Sequence, residues 1–295
     1  MYFYRQREAQ PSLSLFIEVY RLPKLAASLF YMIPIENMKR TLRSFSLIIN
    51  YKTFIITALS VVSTYVCYHN GLIAKFPDML VGVAIVFPVV FSIGSAYNRR
   101  ETALQRLADF KGHAIAIYYA TRDWPTDKAN DIPERTRQLI KQMMLLIKDS
   151  LKSEHNAEFA QNEAKMYDIF SQLSKVVIEM RNYGVQATEV SRASQYISKM
   201  IIAFDNMKVI HNYRTPITLR TYSKVFIYIF PIIYGPYFAS TFKDYSAHLE
   251  YVMPVLYSFI LVSLDNIQDH LENPFDEVGE DDISIDVEGT MRVLK

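Results

Sequence analysis

A chain of 295 residues in which 51% are hydrophobic and 14% aromatic, with only 8 glycines, must turn a sizeable apolar surface toward something other than water. Its 32 basic and 30 acidic side chains leave a formal net charge of +2, and no zinc-finger or RNA-binding signature is present, so nucleic acid is excluded as a partner. The single cysteine, Cys67, excludes an intrachain disulfide and a multi-cysteine metal site.

The chain opens on MYFYRQREAQPS, a charged start with no small-residue cleavage site behind an apolar core, so the N-terminus is expected to stay inside. Residues 12–32 mix apolar positions with a few charges around Pro23, the pattern of a broken amphipathic helix, and Lys39, Arg40, Arg43 and Lys52 follow. Residues 1–52 are therefore expected to form an N-terminal amphipathic segment on the cytosolic side. From 53 to 74 no charged residue occurs. β-Branched residues are dense there, but the run is too long for a strand, and it is expected to form a first transmembrane helix closing near His69 and Asn70.

A short turn at 75–78, with Pro77 suited to a helix start, leads into a second uncharged run at 79–98. About twenty residues at 1.5 Å each cover a hydrocarbon core of roughly 30 Å. Val83, Phe87 and Phe91 recur every fourth position along one stripe, and the run stops at Arg99 and Arg100. Such a stripe is either a helix-packing face or a hydrophobic pore constriction. Residues 53–98 thus read as a transmembrane hairpin.

From 99 to 224 charges recur every few residues, and windows such as 140–151 and 164–180 space their apolar residues by three and four, the mark of amphipathic helices. This stretch is expected to be a cytosolic helical region, punctuated by Trp124-Pro125, Asp131-Ile132-Pro133 and Tyr183-Gly184. Hydrophobicity returns at 225–242, interrupted by Pro231, Gly235 and Pro236, and again at 251–264. Both runs are marginal in length, which suits kinked spans shielded by protein, and residues 225–264 read as a second hairpin. Lys and Arg cluster on one side of the four expected spans, so both termini and the middle region are expected to be cytoplasmic, with a cytosolic tail at 265–295.

The six histidines form no HExxH pair, and no P-loop, GxGxxG or GxSxG motif is present, so no enzyme, cofactor or metal centre is expected. The acidic group Glu277, Glu280, Asp281, Asp282 and Asp286 lacks the spacing of a calcium loop and reads as a solvated turn.

Three stretches carry a resemblance. LENPFDEVGEDDISID at 271–286 resembles the Asn-Pro-Phe signature, acidic turn and Asp-bounded hydrophobic tail of bestrophins and their bacterial and plant relatives. FSIGSAYNRRE at 91–101 is similar to the close of that family's pore-lining second helix, and RTPITLRTYSKVFIYIFP at 214–231 resembles the proline-containing segment before its third span. The resemblance implies an all-α membrane protein of four spans with a helical cytosolic region, assembling as a homopentamer in the lipid bilayer and passing chloride-like anions. It places the pore neck on Val83, Phe87 and Phe91 and a cytosolic aperture within 213–215, with Tyr213 and Thr215 both eligible. It also makes Asn273, Pro274 and Phe275 a structural tail motif. The animal members carry an unbroken acidic run after this motif, whereas Asp276, Glu277, Val278 and Gly279 intervene here, so a calcium clasp is not carried over. The uncharged neck leaves anion against cation preference open, and a membrane-anchored interaction protein without a pore is the competing reading.

Overall fold

The computed structural model describes residues 49–75, 78–127, 131–152, 156–241, 248–277 and 282–295. The expected amphipathic segment up to residue 48, with Lys39, Arg40 and Arg43, lies outside the described residues, as do parts of the turns at 75–78 and 243–250. Among the described residues the regular structure is helical throughout, with no strand.

Helix α1, Tyr51–His69, begins where Asn50 takes extended backbone and its side chain accepts from the Lys52 and Thr53 amides while the Thr53 side chain returns to the Asn50 amide, a reciprocal cap. It ends at Asn70 and Gly71, the latter at φ 64, where glycine has no side chain to clash. Helix α2, Asp78–Asp123, runs 46 residues without interruption, about 69 Å at 1.5 Å per residue. The expected change from membrane span to cytosolic helix at 98/99 is therefore a change of side chains only. No glycine or proline stands there, and Arg, Glu, Ala and Leu sustain a helix as readily as the apolar residues before them.

The remaining helices are α3 (Ile132–Lys152), α4 (Asn156–Glu179), α5 (Ala187–Asn212), α6 (Ile217–Thr241), α7 (Leu249–Glu272) and α8 (Val287–Val293). A 3₁₀ turn, Met180–Tyr183, and Gly184 at φ 82 link α4 to α5.

Two cores hold these helices. One gathers Phe110 and Ile117 of α2 with Ile140, Met143 and Met144 of α3, Phe170 and Leu173 of α4, and Met200 and Phe204 of α5. The other gathers Ile56 of α1, Val89 of α2, Ile227, Phe230, Tyr234 and Phe238 of α6, and Leu261 and Val262 of α7. Helix α2 is the element common to both.

The second bundle is apolar on its outside as well as in its core, and hydroxyl residues share the interior. Its buried positions include Thr53, Ser60, Thr64, Ser92, Ser258 and Ser263, while Phe54, Ile55, Leu59, Val62, Ile232, Ile233, Val252, Leu256 and Ile260 face outward. Small and hydroxyl residues at helix contacts let backbones approach closely. At Gly235 even a single side-chain methyl would collide with the Ser63 hydroxyl oxygen. One residue on, Pro236 has no N–H for the Ile232 carbonyl, and the Ser63 hydroxyl donates to that carbonyl at 3.4 Å instead. Pro231 and Pro236, which interrupt the apolar run, are both carried inside α6. Gly235→Val is expected to force α1 and α6 apart and cost roughly 1–3 kcal/mol, read by thermal unfolding; an unchanged melting temperature would show that the contact is slack.

Taken singly, no helix among the described residues is long and apolar enough to cross a membrane. The hydroxyls buried within the bundle lower each run's hydropathy, as does the charge at its end, for instance Lys52 in α1 and Asp265 and Asp269 in α7.

Candidate pore face and tail strap

Along α2 the side chains divide cleanly. Val89, Ser92 and Ala96 are sealed against neighbouring helices, whereas Val83, Phe87 and Phe91 are 55%, 60% and 57% exposed. Steps of four residues advance about 40° around a helix, so the three lie within roughly 80° of one another on the open side. The Phe87 and Phe91 rings meet edge to face, centroids 4.5 Å apart. Continuing the same stripe, Ser95 and Asn98 are also exposed, so the open face passes from apolar to polar before the first cation. The apolar pattern of the sequence ends the stripe at Phe91, although the same spacing extends it.

Arg99 points away from this stripe and toward the end of α5. Its guanidinium donates to the Ile210 and Tyr213 carbonyls, closing the last turn of α5 with a cation where the helix dipole is negative. This contact brings Tyr213 beside α2, about 12 Å past Phe91 along the helix axis. Tyr213 is 73% exposed, but Thr215 is only 6% exposed. Of the two eligible aperture residues, Thr215 is therefore packed inside the protomer and only Tyr213 presents a side chain outward.

A polar collar joins the lower ends of α1, α6 and α7. The Asn50 side-chain amide donates to Asn266 at 2.8 Å, Asp269 accepts from Lys52 at 3.4 Å and Lys224 at 3.0 Å, and Arg220 donates to Glu272 at 2.8 Å. Glu272 is enclosed, its side chain 4% exposed.

Beyond it the tail folds back on the other core. Asn273 ends α7, Pro274 and Phe275 are buried, and Phe275 packs among the side chains of the α2–α5 core. The Ile283 amide donates to the Pro274 carbonyl at 2.7 Å. From there Ile283, Ile285 and Val287 alternate inward with Ser284 and Asp286 outward, the two-residue period of an extended segment. Asp286 then caps α8, accepting from the Gly289 amide at 2.8 Å. The strap contacts described here lie within one chain.

Glu277, at φ 58, accepts from Lys152 at 2.8 Å with Lys148 at 3.7 Å. The hydrogen bond from Lys152 holds its carboxyl below the usual glutamate range. A depressed folded value means that the pair's stabilisation is present above the unfolded pKa and lost as pH falls through the folded one. The melting-temperature gap between wild type and Glu277→Gln is therefore expected to exist at neutral pH and close in acid below the ordinary glutamate pKa; a gap independent of pH would remove the ion pair as its cause. Among the described residues no group of three His, Cys, Asp or Glu side chains is arranged to hold a metal ion.

No family model and no curated protein matches the chain. Solved structures do. A point variant of a bacterial bestrophin homologue from Klebsiella pneumoniae superposes with a TM-score of 0.70 at 14% identity, covering 82% of this chain and 97% of that one. The same homologue phased on zinc gives 0.68 at 14% identity over 83% and 96%. A structure described as a membrane protein variant gives 0.65 at 15% identity over 83% and 98%. With nearly the whole length of those chains matched, this chain has the bestrophin fold.

Proposed function

We propose that the chain is an ion channel of the bestrophin kind, assembled as a homopentamer around the open face of α2 and passing chloride-like anions down their gradient. The observation that carries the reading is the exposure of Val83, Phe87 and Phe91 on the one side of α2 that neighbouring helices leave uncovered. Five copies of that stripe around an axis form three stacked apolar rings. A narrow tube lined in this way expels water and sets a barrier without any fixed charge, while the positive edges of the phenylalanines can meet an anion. Tyr213 forms the second narrowing, on the cytosolic side of the polar stretch at Ser95 and Asn98.

The apolar exterior of the second bundle supports the bilayer setting. Its outward Phe, Ile, Val and Leu suit acyl chains, and the hydroxyls of Thr53, Ser60, Thr64, Ser92, Ser258 and Ser263 turn inward, so marginal helices cross as a group where none would alone. In this arrangement the hairpins at 53–98 and 225–264 lie in the membrane, and residues 99–224 and 265–295, with both termini, lie in the cytosol.

The test is a reversal potential measured on purified protein in planar bilayers under a salt gradient, alongside its stoichiometry in detergent. A pentamer whose potential moves toward the chloride equilibrium value is the expected result. A shift toward the cation value reverses the selectivity, and a monomer without conductance leaves an interaction protein in place of a channel.

A further inference from the structure

A cavity of about 280 Å³ lies between α3 and α8, and its wall carries four basic residues: Arg137 and Lys141 on α3, Arg292 on α8 and Lys295 behind it. Arg137 is partly neutralised by Glu134 at 3.3 Å, and Glu288 stands in the wall. Among the described residues no carboxylate pairs with Lys141, Arg292 or Lys295. Basic residues gathered around one hollow raise its potential and favour an anion there. The floor is apolar, formed by Leu145 and by Met291, which is itself buried in the α2–α5 core. The back of the hollow is fixed, since the Arg122 guanidinium donates to the main-chain oxygen of Lys295 at 2.9 Å.

We infer that this cavity binds a small organic phosphate, its phosphate held by Lys141, Arg292 and Lys295 and an uncharged ring or chain laid on Leu145 and Met291. The volume suits a molecule of mononucleotide size and is too small for a folded partner. Arginine and lysine side chains are the usual donors to phosphate oxygens, and the apolar floor gives an organic phosphate an advantage over the bare ion. On the bilayer reading of the preceding section a lipid headgroup is out of reach. Arg122 lies 24 residues past Asn98 on the continuous α2, about 36 Å beyond the uncharged run and several screening lengths from any anionic leaflet. The ligand is thus soluble, and by bridging α3 to α8 it fastens the tail strap.

The test is calorimetric titration of the full-length protein in detergent with AMP, inorganic phosphate and a ten-residue polyglutamate. AMP is expected to bind about tenfold or more tightly than phosphate. Lys141→Glu and Arg292→Glu, both at exposed positions that leave the cores intact, are each expected to weaken AMP by about tenfold, with melting temperatures held as the check on folding. Lys175→Glu, an exposed charge reversal on α4 outside the cavity, is expected to leave affinity unchanged. No AMP binding, equal affinity in the two cavity variants and the wild type, or polyglutamate binding more tightly than AMP each overturns the assignment. Failure here leaves the pore reading untouched, because conductance is measured separately.

Discussion

Phe87→Ala and Phe91→Ala are each expected to raise anion flux per reconstituted pentamer while leaving the melting temperature nearly unchanged. Removing one ring widens the constriction and makes it easier to wet, and lowering the barrier by as little as about 1.4 kcal/mol speeds passage about tenfold. A packing role predicts the opposite outcome. A buried phenylalanine truncated to alanine leaves a cavity costing roughly 3–5 kcal/mol, and that cost falls on residues such as Phe230 in the α6 core rather than on rings more than half exposed. Chloride flux from proteoliposomes carrying the two variants, Phe230→Ala and the outward-facing Phe54→Ala separates the cases. Loss of flux together with loss of stability in the Phe87 and Phe91 variants would return that face to ordinary helix packing.

Arg220→Ala is expected to be the most destabilising of the charge substitutions, by about 3–5 kcal/mol. The reason lies with its partner. Glu272 is enclosed, and Arg220 at 2.8 Å is the cation it accepts from, so truncating the arginine strands an ionised carboxylate away from water. Glu272→Gln in the same background removes the stranded charge and is expected to recover part of the loss. Thermal or denaturant unfolding of the two single variants and the double measures the coupling, and strict additivity would show that the two side chains do not depend on one another. By contrast, Asp269 shares its charge between Lys52 and Lys224, so removing either one leaves the other in place.

Much of the helical content was legible in the chain, because three- and four-residue spacing and long uncharged runs are local patterns. The end of α2 was not. Arg99 and Arg100 change which solvent a side chain prefers, yet backbone hydrogen bonding is indifferent to that change, and the helix runs on to Asp123. For α6 the chain shows the prolines but not what compensates for them. The bond that Pro236 cannot make is replaced by the Ser63 hydroxyl from another helix, a compensation that no window of sequence contains.

On the open face of α2, the stripe of Val83, Phe87 and Phe91 could be read from spacing alone, but which side of the helix its neighbours leave uncovered could not. Tyr213 and Thr215 were indistinguishable as sequence, and only packing separates the exposed ring from the buried hydroxyl. The contact of Arg99 with the carbonyls of Ile210 and Tyr213 joins residues 111 and 114 positions apart and carries no signature in the chain.

That contact is the first of a series that clamps α2. Phe91 lies about 12 Å before Arg99 along the helix, whereas beyond Arg99 the side chains of Leu107, Phe110 and Ile117 are sealed in the core shared with α3, α4 and α5. The stretch after Arg99 therefore moves only with the bundle that holds it, and any displacement of that bundle is carried to Phe91 along one continuous helix.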